Sequence, residues 1–285
     1  MRKILVLILV LFSFSIDICF ALQVGNESAQ LNIAANDAGV CFLVIDPQGR
    51  RAGYEPSTKQ YVEEFPASFG CSFAKRGSES GRDETNDMFN SGGMMNLIPG
   101  IYTIEIIGVD LTTFNLSLSI HRKVAGEGPT DIDFKTLKLT PEQIAAIKAN
   151  VTDFNFEGVI DKGLTSRFQF TYNSDPAKPA GTATKVVTLS SLKQDIILAR
   201  KVKGIWEIDG KYPKLDYWIN NNGIMNSLLK KADAIEASIA KGNKTSAKNQ
   251  LNAFINEVNA QKGKHISDKA VKILLEDAQY MMESL

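Results

Sequence analysis

Histidine and cysteine are scarce in this chain. Its 285 residues hold two histidines, three cysteines and two tryptophans. No HExxH or Cys/His zinc spacing occurs, so the usual metal-hydrolase signatures are excluded. No G-x-S-x-G, P-loop or dinucleotide fingerprint is present either. His121 and His265 have no Ser or Cys nucleophile motif around them, and both read as surface histidines. Net charge is lacking too, with 32 Lys/Arg against 32 Asp/Glu. Residues 190–285 carry 15 basic and 11 acidic side chains, and residues 22–189 compensate. That imbalance is too small to argue for nucleic acid. After the first twenty residues no run approaches 18 apolar residues, so no later membrane span is expected.

What the N-terminus does contain points to export. Arg2 and Lys3 precede an apolar run from Ile4 to Ile16. Cys19-Phe20-Ala21 follows, with small residues at the −3 and −1 positions of a cut after Ala21. That is the layout of a secretory signal peptide, 1–21. An uncleaved anchor and a lipoprotein cut at Cys19 are the alternatives, and Asp17 speaks against the second. The expectation is a secreted protein, extracellular or periplasmic. The mature chain then keeps Cys41 and Cys71. In an oxidising compartment such a pair most simply forms one disulfide, worth roughly 3–4 kcal/mol by loop entropy. Two separate structural thiols are the alternative.

Residues 22–123 read as an antiparallel β-sandwich. Val40–Ile45 is a short apolar run that stops at Asp46-Pro47-Gln48-Gly49, a turn signature. Tyr61–Phe65 reads as a strand halted by Pro66. Ile101–Gly108 is the clearest strand. Phe114–Ile120 alternates apolar and polar residues, the period of a half-buried strand. Between these strands runs a Gly/Ser/acid-rich loop, Lys75 to Gly93. Its Glu79, Asp83, Glu84 and Asp87 are a possible calcium cluster, because hard cations want six to eight oxygens. The spacing does not match an EF-hand, and a solvated surface loop is the simpler account.

Residues 124–150 read as a linker with a short helix opening at the Thr140-Pro141-Glu142-Gln143 capping box. Residues 151–189 return to β character as a hairpin or small sheet. They form either a separate subdomain or the completion of the sandwich. Residues 190–285 read as a four-helix bundle. Leu192, Ile196, Ala199 and Val202 mark the first helix, capped by Ser190 or Ser191. Ile224, Leu228, Ala232, Ile235 and Ile239 mark the second. Ala247, Leu251, Phe254, Ile255 and Val258 mark the third, and Ala270, Leu274, Ala278 and Met281 the fourth. Spacings of three and four put each set on one stripe. Gly242 and Gly263 end the middle helices, and Ser267 caps the last.

The runs Ser191–Ile196, Trp218-Ile219, Gly223–Leu229, Asn249–Val258 and Gly263–Ile266 resemble a bacterial FIMAH domain over about 95 residues. Glu207–Tyr217 departs from that pattern and looks like an insertion. The segment Asp46–Tyr54 is similar, more weakly, to β-rich regions that accompany such domains. The resemblance implies an extracellular accessory domain and supplies no catalytic residues. A fold analogy does not by itself supply a function.

The function expected from these readings is non-catalytic binding of an extracellular glycan or protein, with no cofactor. Tyr54, Tyr61, Trp206 and Tyr212 are the candidate ligand-binding aromatics, while Trp218 reads as core. Asp131 and Asp133 have an odd spacing for a hydrolytic carboxylate pair. A small hydrolase using the acidic-loop carboxylates and a structural spacer are the alternatives.

Overall fold

The computed structural model describes residues 29–35, 39–69, 90–122, 150–175, 177–208 and 211–285. The proposed signal peptide, Glu79, Asp83, Glu84 and Asp87 of the acidic loop, Cys71, the pair Asp131 and Asp133, and the helix expected after Thr140 lie outside these residues. Residues 90–93, read as the end of that loop, belong to a strand.

Two antiparallel sheets make up the N-terminal region. The five-stranded sheet has the order β5(Ala67–Phe69), β6(Asn90–Met95), β1(Gln30–Ala35), β8(Thr112–His121), β9(Val151–Ile160). The six-stranded sheet has the order β11(Gly181–Val186), β10(Thr165–Tyr172), β7(Gly100–Gly108), β2(Val40–Ile45), β3(Arg51–Glu55), β4(Gln60–Glu63). β9 pairs with β8 along its whole length, and β10 pairs with β7. Residues 151–186 therefore complete the sandwich; of the two readings left open for this segment, the separate subdomain falls away.

Alternation places the core. In β8, Phe114, Leu116, Leu118 and Ile120 are buried while Asn115 and Ser117 are exposed. In β7, Tyr102, Ile104 and Ile106 point the same way, and Ile101 faces out. The inner rows of the two sheets meet through aromatic rings. Phe114 meets Phe168 edge-on at 6.2 Å between centroids, and Phe156 meets Phe168 at 4.9 Å. Tyr102 stacks on Phe170 at 4.5 Å, and its hydroxyl donates to the Ile98 carbonyl. Burial pushes the Tyr102 phenol up to about 12, so it stays a neutral donor at any ordinary pH.

Four helices follow: α1(Leu189–Ala199), α2(Asn222–Ala240), α3(Lys244–Gln261) and α4(Asp268–Ser284). Their stripes converge on one core containing Leu192, Ile196, Leu228, Ile235, Leu251, Phe254, Leu274 and Met281. Ile239, expected on the α2 stripe, is partly exposed at the helix end. Gly242 and Gly263 adopt φ of +69° and +70°, the left-handed conformation that terminates a helix cheaply only at glycine. Ser267 Oγ accepts from the Ala270 amide and caps α4.

The start of α1 differs from expectation. Thr188, not Ser190 or Ser191, is the N-cap. Its hydroxyl accepts from the Ser191 amide, and Ser191 Oγ accepts from the Thr188 amide in return. The reciprocal pair closes two orphan amides at once, which no cap one residue later achieves. The helix also ends at Ala199, since Lys203 already belongs to a β-hairpin, β12(Lys203–Ile208) and β13(Lys211–Tyr217). This hairpin contains Glu207–Tyr217, the segment read in the sequence as departing from the helical pattern.

The helices lean on the sandwich. Val159 of β9 belongs to the helical core, and Tyr280 of α4 packs against the sandwich core. Lys272 Nζ on α4 reaches Glu157 Oε1 on β9 at 2.6 Å.

Candidate binding surface

The β3–β4 hairpin forms the free edge of the six-stranded sheet. Tyr54 and Tyr61 stand opposite each other in its register. Their rings meet edge-on, 6.0 Å apart at 66°. Ala52, two residues before Tyr54 and so on the same face, is in the core. The tyrosine pair continues that inward face past the rim of the sandwich. Tyr61 is 52% exposed there. Partial burial, and then Tyr54 beside it, raise the Tyr61 phenol above its usual range, so it remains a hydrogen-bond donor.

Arg51 and Glu55 alternate onto the other face of β3. The Arg51 guanidinium bridges Glu55 Oε2 at 2.6 Å and Glu64 Oε1 at 2.8 Å. The turn before β3 is fixed by Asp46. Its carboxylate accepts from the amides of Gln48 and Arg50, both at 2.9 Å, and from Arg50 Nε at 2.7 Å. Burial acts to raise the Asp46 carboxyl, but these donors outweigh it and hold it below the usual carboxylate range. Gly53 has φ +121°, and a Cβ there would lie 2.2 Å from the Phe42 carbonyl oxygen. That close backbone approach leaves no room for a side chain at this position.

Of the other candidate aromatics, Trp206 lies in β12 opposite Lys214, and Tyr212 lies in β13; their side chains lie outside the described part of the structure. Trp218 is buried in the helical core as expected. Tyr217 belongs to the same aromatic group in the sequence but is not among the binding candidates. Arg200 and Lys203 already sit over its ring at 4.4 and 4.9 Å, so its face is occupied. The structure thus brings Tyr54 and Tyr61 together and sets the β12–β13 pair apart, on a different element. Cys41 is fully buried in β2.

Neither histidine is free on the surface. His265 Nδ1 lies 3.0 Å from Asn220 Oδ1. His121 Nε2 lies 3.0 Å from Ser119 Oγ, which donates to Asp153 Oδ1. This is not a nucleophile triad. There the histidine stands between hydroxyl and carboxylate, whereas here the serine does. Burial pushes the His121 imidazole down, against the pull of Asp153. Among the described residues no cluster of His, Cys, Asp and Glu is arranged to hold a metal ion.

One charged cluster escaped the sequence reading entirely. Lys185 of β11, Asp195 of α1 and Asp277 of α4 meet where the sandwich and the helices join. Lys185 Nζ lies 2.6 Å from Asp277 Oδ1 and 3.1 Å from Asp195 Oδ2. The three side chains are 6%, 0% and 6% exposed in the order Lys185, Asp277, Asp195. Burial raises the Asp195 carboxyl well above its usual range; Lys185 opposes this and Asp277 adds to it. Burial alone would lower the Lys185 ammonium, but the two carboxyls more than offset that and raise it.

The arrangement defines a β-sandwich joined to a helical packing module, with no catalytic constellation among the described residues. Residues 216–283, which run from the end of β13 through α4, match the FIMAH domain family. That domain is not catalytic, and the match fits a non-catalytic interaction module. No curated protein and no solved structure matches the chain. Among the described residues no helix is long and apolar enough to cross a membrane.

Proposed function

We propose that this is a secreted binding protein that recognises an extracellular glycan at the Tyr54/Tyr61 rim. The observation that carries the reading is the half-exposed Tyr61 ring, braced edge-on by Tyr54 at the edge strand of the sheet. A sugar ring presents C–H groups to an aromatic face, and this rim offers such a face. The site lies on paired strands, so little ordering entropy is lost on binding. Export through cleavage after Ala21, and a disulfide between Cys41 and Cys71, belong to the same proposal. A protein partner on the same edge is the second reading, favoured by β4 being the last strand of the sheet among the described residues, a position suited to strand addition.

Affinity electrophoresis of residues 22–285 through gels containing different polysaccharides tests the proposal. Retention by at least one polysaccharide, lost in Tyr61→Ala with unchanged thermal melting, is the expected result. No retention by any polysaccharide overturns the glycan reading and leaves the protein partner.

A further inference from the structure

The Lys185–Asp195–Asp277 cluster is unusual because of where it lies. Its side chains come from three elements, with Asp195 10 residues and Asp277 92 residues beyond Lys185, and almost no water reaches them. With all three groups ionised, the site holds one positive and two negative charges in a dry interior, which costs several kcal/mol per ion unless geometry and hydrogen bonds compensate. Compensation is incomplete. Asp277 Oδ2 is buried and has no hydrogen-bond partner among the described residues. Burial raises the Asp195 carboxyl well above its usual range, which favours its neutral form here; the site then holds an ammonium, a carboxylate and a carboxylic acid.

We propose that in the folded protein Lys185 and Asp277 condense to an isopeptide bond, with Asp195 carrying the protons. The Nζ atom is 2.6 Å from a carboxyl oxygen, so it lies within about 3–3.5 Å of the carbon behind it, a near-attack distance. The Lys185 ammonium gives a proton to Asp277, leaving a neutral amine and a neutral carboxyl. The amine lone pair attacks Asp277 Cγ, and a C–N bond forms. Asp195 donates its proton to the departing hydroxyl and takes the surplus proton from nitrogen. The C–O bond breaks, water leaves, and Asp195 is a carboxylic acid again. No oxidant or reductant is consumed. An ammonium, a carboxylate and a carboxylic acid become an amide, a water molecule and a carboxylic acid, with no net charge on either side.

Burial favours the uncharged product, while the two carboxyls that raise the Lys185 ammonium make the first proton transfer the slow step. In water, solvation of the ammonium and the carboxylate favours the separated ions. In this site that solvation is gone, and the product carries no charge at all. A neutral lysine amine is a competent nucleophile, and the packed site supplies the orientation. The molecule contains its own control. Lys193 Nζ lies 2.6 Å from both Asp233 and Glu236, with the same kinds of group at the same distance. There the lysine is 26% exposed and the acids 65% and 58%, so water keeps the ions. The product at Lys185 would bind β11 of the sandwich to α4. It encloses residues 185–277 in a covalent loop and holds the helical unit to the strands under load.

The test is the intact mass of the purified chain after reduction, so that any disulfide contributes nothing. The expected mass is lower than the sequence mass by one water. Proteolysis should yield one branched peptide joining the segment around Lys185 to Ile273–Leu285. Asp195→Ala and Lys185→Ala should both return the full mass, and peptides containing Lys193 should be unbranched. The wild-type measurement decides even if a variant fails to fold. A folded wild-type chain with its full sequence mass overturns the proposal, and so does a lost water that maps to any pair other than Lys185 and Asp277.

Discussion

Phe114 stands directly across the β8–β9 ladder from Gly158, and its ring fills the space that a side chain at 158 would need. A Cβ there would lie 2.2 Å from Phe114 Cζ. The same ring meets Phe168 of the opposite sheet, so it has no room to retreat. Gly158→Ala is therefore expected to destabilise the chain by about 1–3 kcal/mol, the usual cost of overpacking. Urea unfolding measures it. Phe114→Leu in the same chain should recover part of the loss, because the shorter side chain vacates the space. An additive double variant would show that the ring is not the obstacle.

The Asp46 turn gives a pH signature. Its folded carboxyl lies below the unfolded value, which is about 3.9. A group depressed by folding stabilises above its unfolded pKa, and the contribution disappears as pH falls through the folded value. Asp46→Asn should thus be less stable than the wild type at pH 7, by about 1–3 kcal/mol for a set of charge-assisted hydrogen bonds. The gap should close below about pH 4. Thermal melts at pH 7 and pH 3 measure both stabilities. A gap of equal size at both pH values would remove the carboxylate from the account.

The sequence carried the fold further than it carried the site. Alternation in Phe114–Ile120 and the three-four spacing of Leu251, Phe254 and Val258 report directly which face is inside, because burial selects side chains at those periods. Strand pairing is not periodic in that way. Nothing local in Val151–Ile160 says that its partner is β8, across the undescribed 123–149 segment, so residues 151–186 read equally well as a separate unit. Tyr54 and Tyr61 were visible as aromatics near one turn, and their opposition follows once the hairpin register is set. Lys185, Asp195 and Asp277 were not visible. Each looks like an ordinary solvated charge on its own element, and only the packing of α1 and α4 on β11 buries all three. The Thr188 cap was missed for a smaller reason, since several hydroxyls in a row leave the choice to backbone geometry.

Phe254 anchors the helical unit. It is fully buried among Leu228, Ile235, Leu251 and Leu274. Removing its ring leaves a cavity that α2 and α4 cannot close without shifting, so Phe254→Ala should cost about 3–5 kcal/mol. Phe254→Leu should cost distinctly less, because it conserves more volume. Denaturant midpoints at unchanged slope would report both. Equal losses for the two variants would mean that something other than cavity volume dominates.

The boundary between the two units is tighter than residue 190 implies. Thr188 caps α1, and Lys185, Glu157, Val159 and Tyr280 tie the helices to the strands. A fragment of residues 190–285 therefore loses both its cap and its support. A fragment that begins at residue 187 regains the Thr188 cap and should be more stable by about 1 kcal/mol, the ordinary worth of such a residue. Neither should melt as high as the helical unit does in the intact chain, because Asp195 and Asp277 then face water without Lys185, and the apolar face of α4 at Tyr280 is uncovered. Circular dichroism melts of the two fragments and of residues 22–285 make the comparison. A fragment from residue 190 that melts with the intact chain would show that the sandwich contributes nothing to the helices, and that the contacts across the junction are incidental to stability.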